Sequence, residues 1–336
     1  MMKSVLALSA SLLFSLPVFP QSPAYRVSGA HEHENLKLFL LVPESHSSAA
    51  RRYLPLKEAV EQKKAVVHET KNVNNLSIEN LSDEEVYVQG GDILKGGEQD
   101  RVLVTDLILP PKSGRIPIAA FCVEQGRWSP RGNESPKQFM PPLAVVASKE
   151  TKLAVAAESQ QASVWESVKG AIAGLSAGLS AKKQKPIAVA APESMSSYML
   201  SIENTELMRS VEEYMKPLAK IIDSHPASTG YAFAINNVLS GAEVYSSPAL
   251  FRQMWPKMLR ASATEAIARY NREKKPAINA AAVLTDLSAA HGGAASEQAP
   301  NARTKILKRD SARMLLVESS DQSRPGGWVH RSYIAK

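Results

Sequence analysis

The chain has 336 residues, of which 44% are hydrophobic and 22% are charged, and its formal net charge is +7. This composition is typical of a globular protein with one large or two ordinary domains, and it excludes a disordered chain. The single cysteine excludes an intrachain disulfide, so stability must come from packing. The basic residues are scattered in pairs without interleaved aromatic residues, which argues against a nucleic-acid partner.

Residues 1–24 have the pattern of a secretory signal peptide. Lys3 gives a short basic start, an apolar run covers 5–14, and small residues at 22 and 24 suit cleavage. The run is shorter than the roughly 20 residues of a transmembrane helix, and Pro17 interrupts it. We therefore expect a secreted or periplasmic protein, without a membrane span once the leader is cleaved.

Residues 25–144 predict a strand-rich half. Its β-prone runs are separated by polar or Pro/Gly turns, and one stretch has helical spacing with many charges. The predicted strands occupy 36–42, 76–80, 86–89, 101–109 and 116–124, and the predicted surface helix lies within 54–67. The last two strands flank the turn PPKSGR and predict an antiparallel hairpin.

Residues 145–195 are rich in Ala, Ser, Lys and Gln, and they predict a connector or insertion with a helix near 161–173. The second half, 196–336, has clearer signals. An apolar stripe predicts a helix over 205–222; its members are Met208, Val211, Met215, Leu218 and Ile222. A hairpin over 230–245, a helix from Ser247-Pro248 to about 271, and strands over 312–319 and 328–334 complete the chain.

Strands and helices are segregated along the chain and do not alternate, which favours an α+β fold. We expect a hairpin-rich antiparallel sheet packed with two main amphipathic helices. The predicted arrangement is a single domain over 25–336, in which the Ala/Ser-rich connector joins the strand-rich half to the helix-hairpin-helix half with its closing strands.

The stretch GGDILKGGEQDR at 90–101 is rich in glycine and charge. It is not a phosphate-binding P-loop, because Lys95 precedes the second glycine and Glu98 follows Gly97. The glycines predict a tight turn or bulge, but they do not explain the charged residues that follow.

The predicted hairpin brings some of these charges to a second polar stretch. If Leu109 pairs with Ile116, then Arg101 lies opposite Glu124 on one face. The candidate ligand-binding residues at these strand ends are Glu98, Asp100, Arg101, Glu124, Arg127 and Trp128. An aromatic ring beside arginines and carboxylates suits a polar, flat or anionic ligand.

Two further candidate ligand-binding residues, His330 and Arg331, lie in the last predicted strand, where alternation points their side chains to opposite faces. His31 and His33 form only a pair, and a zinc site needs more ligands than that. We expect no metal site and no cofactor.

The motifs GGDILKGGEQDRVLVTDLILPP and FCVEQGRW resemble the ARG-and-rhodanese-phosphatase-superfamily-associated domain family, a bacterial domain of unknown function. The segment 230–267 and the ending WVHRSYI are also similar to that family. The resemblance spans roughly residues 30–336. It implies genomic association with ADP-ribosylglycohydrolase-like and phosphatase-like proteins, and it supplies no activity or catalytic residue.

Three functions remain open. The leading hypothesis is a non-catalytic binding or interaction module for a polar small molecule or a partner protein, since no nucleophile or metal site is recognisable. The alternative is a hydrolase that uses the strand-end carboxylates as acid and base, on a phosphate- or ribose-containing substrate. In the third, the charged residues only brace the sheet. An enzyme requires carboxylates that converge in a concave pocket, whereas a module or brace requires carboxylates that are ion-paired.

Overall fold

The structure is a computed structural model that describes residues 25–44, 52–140, 145–271, 277–324 and 326–336. The predicted signal peptide lies outside the described residues. The helices are α1 (Leu56–Glu61), α2 (Lys149–Leu153), α3 (Gln161–Lys183), α4 (Tyr198–Ile202), α5 (Thr205–Leu218), α6 (Pro248–Ala268) and α7 (Ala280–Ala290). One π-helical turn (Ala154–Glu158) follows α2, and one 3-10 turn (Ile221–Ser224) follows α5.

The strands up to the end of the first half are β1 (Tyr25–His33), β2 (Leu36–Pro43), β3 (Leu54–Pro55), β4 (Ala65–Asn72), β5 (Asn75–Asn80), β6 (Val86–Val88), β7 (Ile93–Gly96), β8 (Arg101–Leu103), β9 (Leu107–Leu109), β10 (Gly114–Cys122) and β11 (Phe139–Met140). Those of the second half are β12 (Gly230–Ile235), β13 (Val238–Tyr245), β14 (Ala294–Gln298), β15 (Thr304–Asp310), β16 (Met314–Asp321) and β17 (Trp328–Ala335). The sheets are antiparallel apart from the β3–β6 pair, which confirms the predicted hairpin-rich α+β class.

An eight-stranded sheet in the order β1-β2-β12-β13-β17-β16-β15-β14 organises the molecule. Residues at alternate positions along its strands enter different cores, because successive side chains of a strand point to opposite faces. Leu38 and Leu40 pack in the core that contains α3, α5 and α6, whereas Phe39 and Leu41 pack in the core that contains α7. The sheet therefore lies between two helical layers.

A six-stranded sheet (β11-β7-β8-β10-β5-β4) and a three-stranded sheet (β3-β6-β9) form the rest of the first half. They share a core of their own, and side chains such as Tyr87, Val102 and Val123 join them to the core that contains α3, α5 and α6. The strand-rich half is thus packed directly on the second half.

The prediction of one continuous strand over 101–109, in a hairpin with the strand 116–124, was wrong. The chain leaves the six-stranded sheet after β8 and joins the three-stranded sheet as β9, which pairs with β6. Asp106 lies in the break because its carboxylate turns inward to His330, and a buried charge needs such a partner. The turn PPKSGR therefore does not close a hairpin between β9 and β10; residues 114–119 of β10 pair with β5.

The region predicted as a connector contains α2 and the 23-residue helix α3, which extends ten residues past the predicted end at 173. Its small residues permit close helix packing. A Cβ atom on Gly178 would lie 1.9 Å from the carbonyl oxygen of Ile267 in α6. The low content of large apolar residues thus marks a tight helix crossing, not a loose segment.

Candidate functional site

The glycine-rich stretch forms the turn between β7 and β8, with Gly96 and Gly97 at φ values of 120° and 61°. A side chain at Gly97 would lie 2.6 Å from the ring of Phe139 and 2.7 Å from the carboxylate of Glu69. These glycines therefore allow a crowded turn, as predicted, and the charged residues after them enter the protein interior.

The register that was predicted to bring the strand ends together was off by two residues. Arg101 pairs with Cys122 and Leu103 with Ala120, whereas the predicted partner of Arg101 was Glu124. Because side chains alternate with a period of two, this shift keeps the same face. Asp100 still lies beside the end of β10, and its carbonyl oxygen accepts a bond from the Val123 N–H at 3.1 Å.

Two buried carboxylates form the centre of the strand-end cluster, and arginines from the loop after β10 bind both of them. Arg127 Nε donates to Glu124 Oε2 at 2.6 Å. Arg131 Nη2 donates to the two carboxylate oxygens of Asp100 at 2.7 and 2.8 Å, and its Nη1 lies 3.4 Å from Glu124 Oε2. The two acids thus share two guanidinium groups in one network.

Arg101 lies beside this network with different partners. It is buried, it donates to the carbonyl of Gln99 at 2.8 Å, and it lies 3.5 Å from Glu69 Oε2. The ring of Trp128 covers its guanidinium, with 5.2 Å between the two centres, and remains 46% exposed. Glu98 takes part through its backbone carbonyl, which accepts from Arg127 Nη1 at 3.1 Å.

Burial raises the pKa of Asp100 to about 6, although Arg131 opposes this shift. Such a pKa suits a general acid. Both oxygens are held by Arg131, however, and the cavities found among the described residues are lined by other residues. The cluster therefore has the ion pairs expected of a module or brace.

Sequence reasoning missed Arg131 and Glu69. The only signal for Arg131 was a second arginine four residues after Arg127, and Glu69 lies on β4, which the prediction did not connect to the cluster. Arg131 also donates to Ser197 Oγ at 2.9 Å. Ser197 is the N-cap of α4, where its hydroxyl accepts from the Leu200 N–H, so the cluster holds the start of α4 in place.

His330 and Arg331 do not join the strand-end cluster. They point to opposite faces of the eight-stranded sheet, as alternation predicts. Arg331 stacks on Trp328 at 4.1 Å and binds Glu318 at 2.5 Å. His330 lies on the other face, buried beneath α2 and the β6–β9 region.

His330 is the centre of a second polar cluster. Its Nδ1 lies 2.9 Å from Asp106 Oδ2, its Nε2 lies 2.8 Å from Glu243 Oε2, and Tyr245 stacks on its ring at 4.6 Å. Lys152 of α2 binds the other oxygen of Glu243. Burial lowers the pKa of His330, but the two carboxylates outweigh it and raise the pKa to about 9. The ring is therefore an imidazolium at neutral pH and cannot act as a general base.

Asp106 and Glu243 were not predicted as members of this cluster, and the sequence contained a signal for only one of them. Asp106 had a signal, because a carboxylate within an apolar run must be paired or exposed. Glu243 lies inside the predicted hairpin 230–245, and nothing local distinguished it from a surface residue.

An open cavity lies between α4, α5 and α6, and we call it the helical groove. Its volume is about 780 Å³, and its apolar walls are Tyr198, Met199 and Ile202 of α4, Met208 and Val211 of α5, and Ala261 of α6. Met208 was predicted within the apolar stripe of α5, but it is 42% exposed. A second hollow of about 730 Å³ adjoins the groove and shares Val146, Tyr198, Ala261 and Thr264.

The rim of the groove has a positive excess. Its acids are engaged, since Glu203 pairs with Lys95 at 2.6 Å, Glu212 pairs with Arg260, and Glu213 pairs with two lysines of α3. Lys216 forms no ion pair with another described residue, and Arg209 is 70% exposed and 3.8 Å from its nearest acid. The rim charge without an ion pair among the described residues, that of Lys216, is therefore cationic.

Two other observations concern metal binding and the reactivity of the single cysteine. In the described part of the chain, no group of three or more His, Cys, Asp or Glu side chains is arranged to hold a metal ion. The buried thiol of Cys122 has its pKa raised by burial to about 11, which keeps it protonated and unreactive at neutral pH.

The fold and the site define an α+β protein in which a buried ion-pair cluster braces one wall of an apolar groove. The family model described as the ARG and Rhodanese-Phosphatase-superfamily-associated Protein domain matches residues 24–334. The chain belongs to this family, as the sequence motifs indicated. Neither the curated proteins nor the solved structures contain a match. No helix in the described ranges is long and apolar enough to span a membrane.

Proposed function

We propose that this protein is a non-catalytic binding module, exported by its N-terminal leader, that holds a small amphipathic anion in the helical groove. The supporting observation is the contrast between the polar clusters and the groove. The charges of Asp100, Glu124 and His330 are matched inside the protein, whereas the groove is open and apolar.

The size and lining of the groove favour a small amphiphile. Ligand sites typically have volumes of about 300–1,000 Å³ and are mainly apolar with a few polar groups. The groove has this volume and lining. Two cations lie at its rim: Lys216, which pairs with no acid of the described residues, and the exposed Arg209, whose ion pair with Glu206 is long, at 3.8 Å. An alkyl chain in the groove with an anionic head at the rim satisfies both features. This ligand differs from the polar one that the strand-end residues predicted.

The strand-end cluster supports the groove indirectly. Arg131 fixes the N-cap of α4 through Ser197, and the Lys95–Glu203 ion pair fixes its C-cap. Because α4 has only five residues, it needs such anchors to keep a defined position. Asp100 and Glu124, two of the predicted site residues, therefore position a groove wall through Arg131 and do not line the groove themselves.

The hydrolase alternative has one favourable observation, the pKa of about 6 at Asp100. The same carboxylate is bound at both oxygens by Arg131. A substrate would have to displace this arginine, so the geometry favours the binding module.

Calorimetric titration with decanoate and with 1-decanol tests the proposal. We expect saturable binding of decanoate and weaker binding of decanol. Met208→Glu should reduce decanoate affinity at least tenfold, because it places a carboxylate in the apolar wall. Met195→Glu is the matched control, since Met195 is 66% exposed and does not line the groove, and it should leave affinity unchanged.

A second pair of variants tests the rim. Lys216→Ala should weaken decanoate but not decanol, whereas Lys220→Ala, which removes an exposed lysine outside the groove, should change neither. Failure of both probes to bind, or equal binding by the Met208→Glu variant, would refute the proposed groove function.

Export is tested separately by the mass of the purified protein from the native host, which should lack about the first 24 residues.

A further inference from the structure

A small cavity lies beside His330, away from the helical groove. Its volume is about 40 Å³, and it is lined by residues of the π-helical turn after α2, the Gly90–Gly91 turn, and strands β15, β16 and β17. This volume accommodates roughly three water molecules or one small oxyanion.

One row of side chains across three strands forms the floor of the cavity. Lys308 of β15 pairs with Val317 of β16, and Val317 pairs with Ser332 of β17. Directly paired residues share a face of a sheet, so all three side chains point to the same side, and all three line the cavity. Thr105 lines it from the segment between β8 and β9.

Two hydroxyl groups of this cavity have no partner among the described protein atoms. They are Thr105 Oγ1 and Ser332 Oγ, and both residues are 7% exposed. Buried polar atoms nearly always form a hydrogen bond to protein, water or ligand. Two such hydroxyls in one cavity indicate a polar occupant that accepts hydrogen bonds from them, or that both donates and accepts.

The charged side chains that line the cavity determine whether this occupant is an anion or a cation. Lys152, His330 and Lys308 line it, against the single carboxylate of Asp106. Asp106 is fully engaged, since Tyr87, Ser319 and His330 bind one oxygen and the Gly90 N–H binds the other. The first two cations are balanced by the carboxylates of Glu243 and Asp106.

Lys308 is the cation that remains. Its Nζ donates to the carbonyl oxygen of Ala156 at 2.8 Å, and no ion pair joins it to a carboxylate of the described residues. An ammonium group has three donors, so two stay available. Burial lowers its pKa, as expected of a cation without a compensating anion.

We propose that this cavity is a binding site for one small oxyanion, held by the ammonium group of Lys308 and the hydroxyls of Thr105 and Ser332. Each of the three groups can donate a hydrogen bond to an anion oxygen. The site is independent of the helical groove, and its occupant would also link the π-helical turn to the eight-stranded sheet.

Inorganic phosphate, sulfate and formate are the probes. Calorimetric titration of the purified protein, at constant ionic strength set with sodium chloride, should give binding of one anion per chain for at least one of the three. The Tm should rise with the concentration of that anion. Because phosphate and sulfate stabilise many folded proteins by exclusion from their surfaces, the decisive comparison is between variants.

Lys308→Met should reduce the affinity at least tenfold and remove the anion-dependent part of the Tm rise. Lys305→Met, which removes a 41% exposed lysine from the same strand, should behave like the wild type. Ser332→Ala deletes one donor without changing charge, and it keeps the test valid if Lys308→Met unfolds; it should weaken binding severalfold. A heat of binding that sodium chloride reproduces, or that survives in both site variants, would overturn the proposal.

Discussion

Arg131 binds both carboxylate oxygens of Asp100 across 31 residues of sequence, at 2.7 and 2.8 Å, and so connects the β7–β8 turn to the loop after β10. The same guanidinium reaches Ser197 at the start of α4. One side chain thus joins the strand-rich half to the wall of the helical groove.

Loss of this side chain should be costly. Arg131→Ala leaves Asp100 buried without its main partner, and breaking such a pair typically costs about 3–5 kcal/mol. We expect a loss of about 3 kcal/mol in the free energy of unfolding, measured by urea denaturation, together with weaker decanoate binding because α4 loses an anchor. Arg115→Ala is the control, since Arg115 is 66% exposed and 3.9 Å from Glu79, and should cost below about 0.5 kcal/mol. Equal effects of the two variants would refute the bracing role.

The ion pairs of His330 should make stability depend on pH. Because folding raises the pKa of this imidazole from 6.5 to about 9, the folded protein binds more protons than the unfolded chain between these pH values. The His330 ion pairs therefore contribute roughly 3 kcal/mol to the free energy of unfolding. This contribution is present in full below about pH 6.5 and is lost as the pH rises through 9. The gap in unfolding free energy between the wild type and His330→Gln should shrink from pH 6 to pH 10. A gap that stays constant would contradict the ion-pair assignment.

The α3–α6 crossing should be intolerant of a single methyl group. Gly178→Ala places its Cβ 1.9 Å from a backbone oxygen of α6, so the helices must separate, and we expect a loss of about 1–3 kcal/mol. Gly170→Ala in the same helix meets nothing within 4 Å and should stabilise the protein by about 1 kcal/mol, since alanine favours helix over glycine. Thermal unfolding of the two variants would show shifts of opposite sign; a stabilised Gly178→Ala variant would disprove the close crossing.

The turn between β7 and β8 should require glycine for two separable reasons. Gly97 and Gly132 both have positive φ values, 61° and 51°, and alanine is strained at either position. Only at Gly97 does a Cβ atom also meet the Phe139 ring, at 2.6 Å, whereas at Gly132 it meets nothing within 4 Å. We expect a loss of about 1 kcal/mol for Gly132→Ala and a clearly larger loss for Gly97→Ala in chemical denaturation. Similar losses would mean that crowding at Gly97 is relieved by movement of the ring.

Local signals were sufficient for much of the second half. The hairpin over 230–245 was predicted from its apolar runs, and its Asn236-Asn237 turn has the two positive φ values of a tight two-residue connection. The start of α6 followed from Ser247, whose side chain accepts a bond from the Leu250 N–H. These features depend on neighbours a few residues apart, which the sequence displays directly.

The predictions that depended on distant partners were less accurate. The strand 101–109 was broken by Asp106, whose partner His330 lies 224 residues away. We predicted that the strand-end residues lie close together, but we did not predict their partners Arg131 and Glu69, nor the helical groove. Met208 was assigned to the buried stripe of α5, because the pattern of one helix does not show whether a neighbour covers each apolar residue.

The sequence by itself determined the α+β class, the family, the glycine turn and most element positions in the second half, because these follow from spacing, capping and backbone freedom along short stretches. Only the tertiary structure decided which charges are paired, where the α3–α6 crossing is tight, and which apolar surface stays open. Those properties depend on the burial and distance of groups from separate strands and helices, and the chain brings these groups together only when it folds.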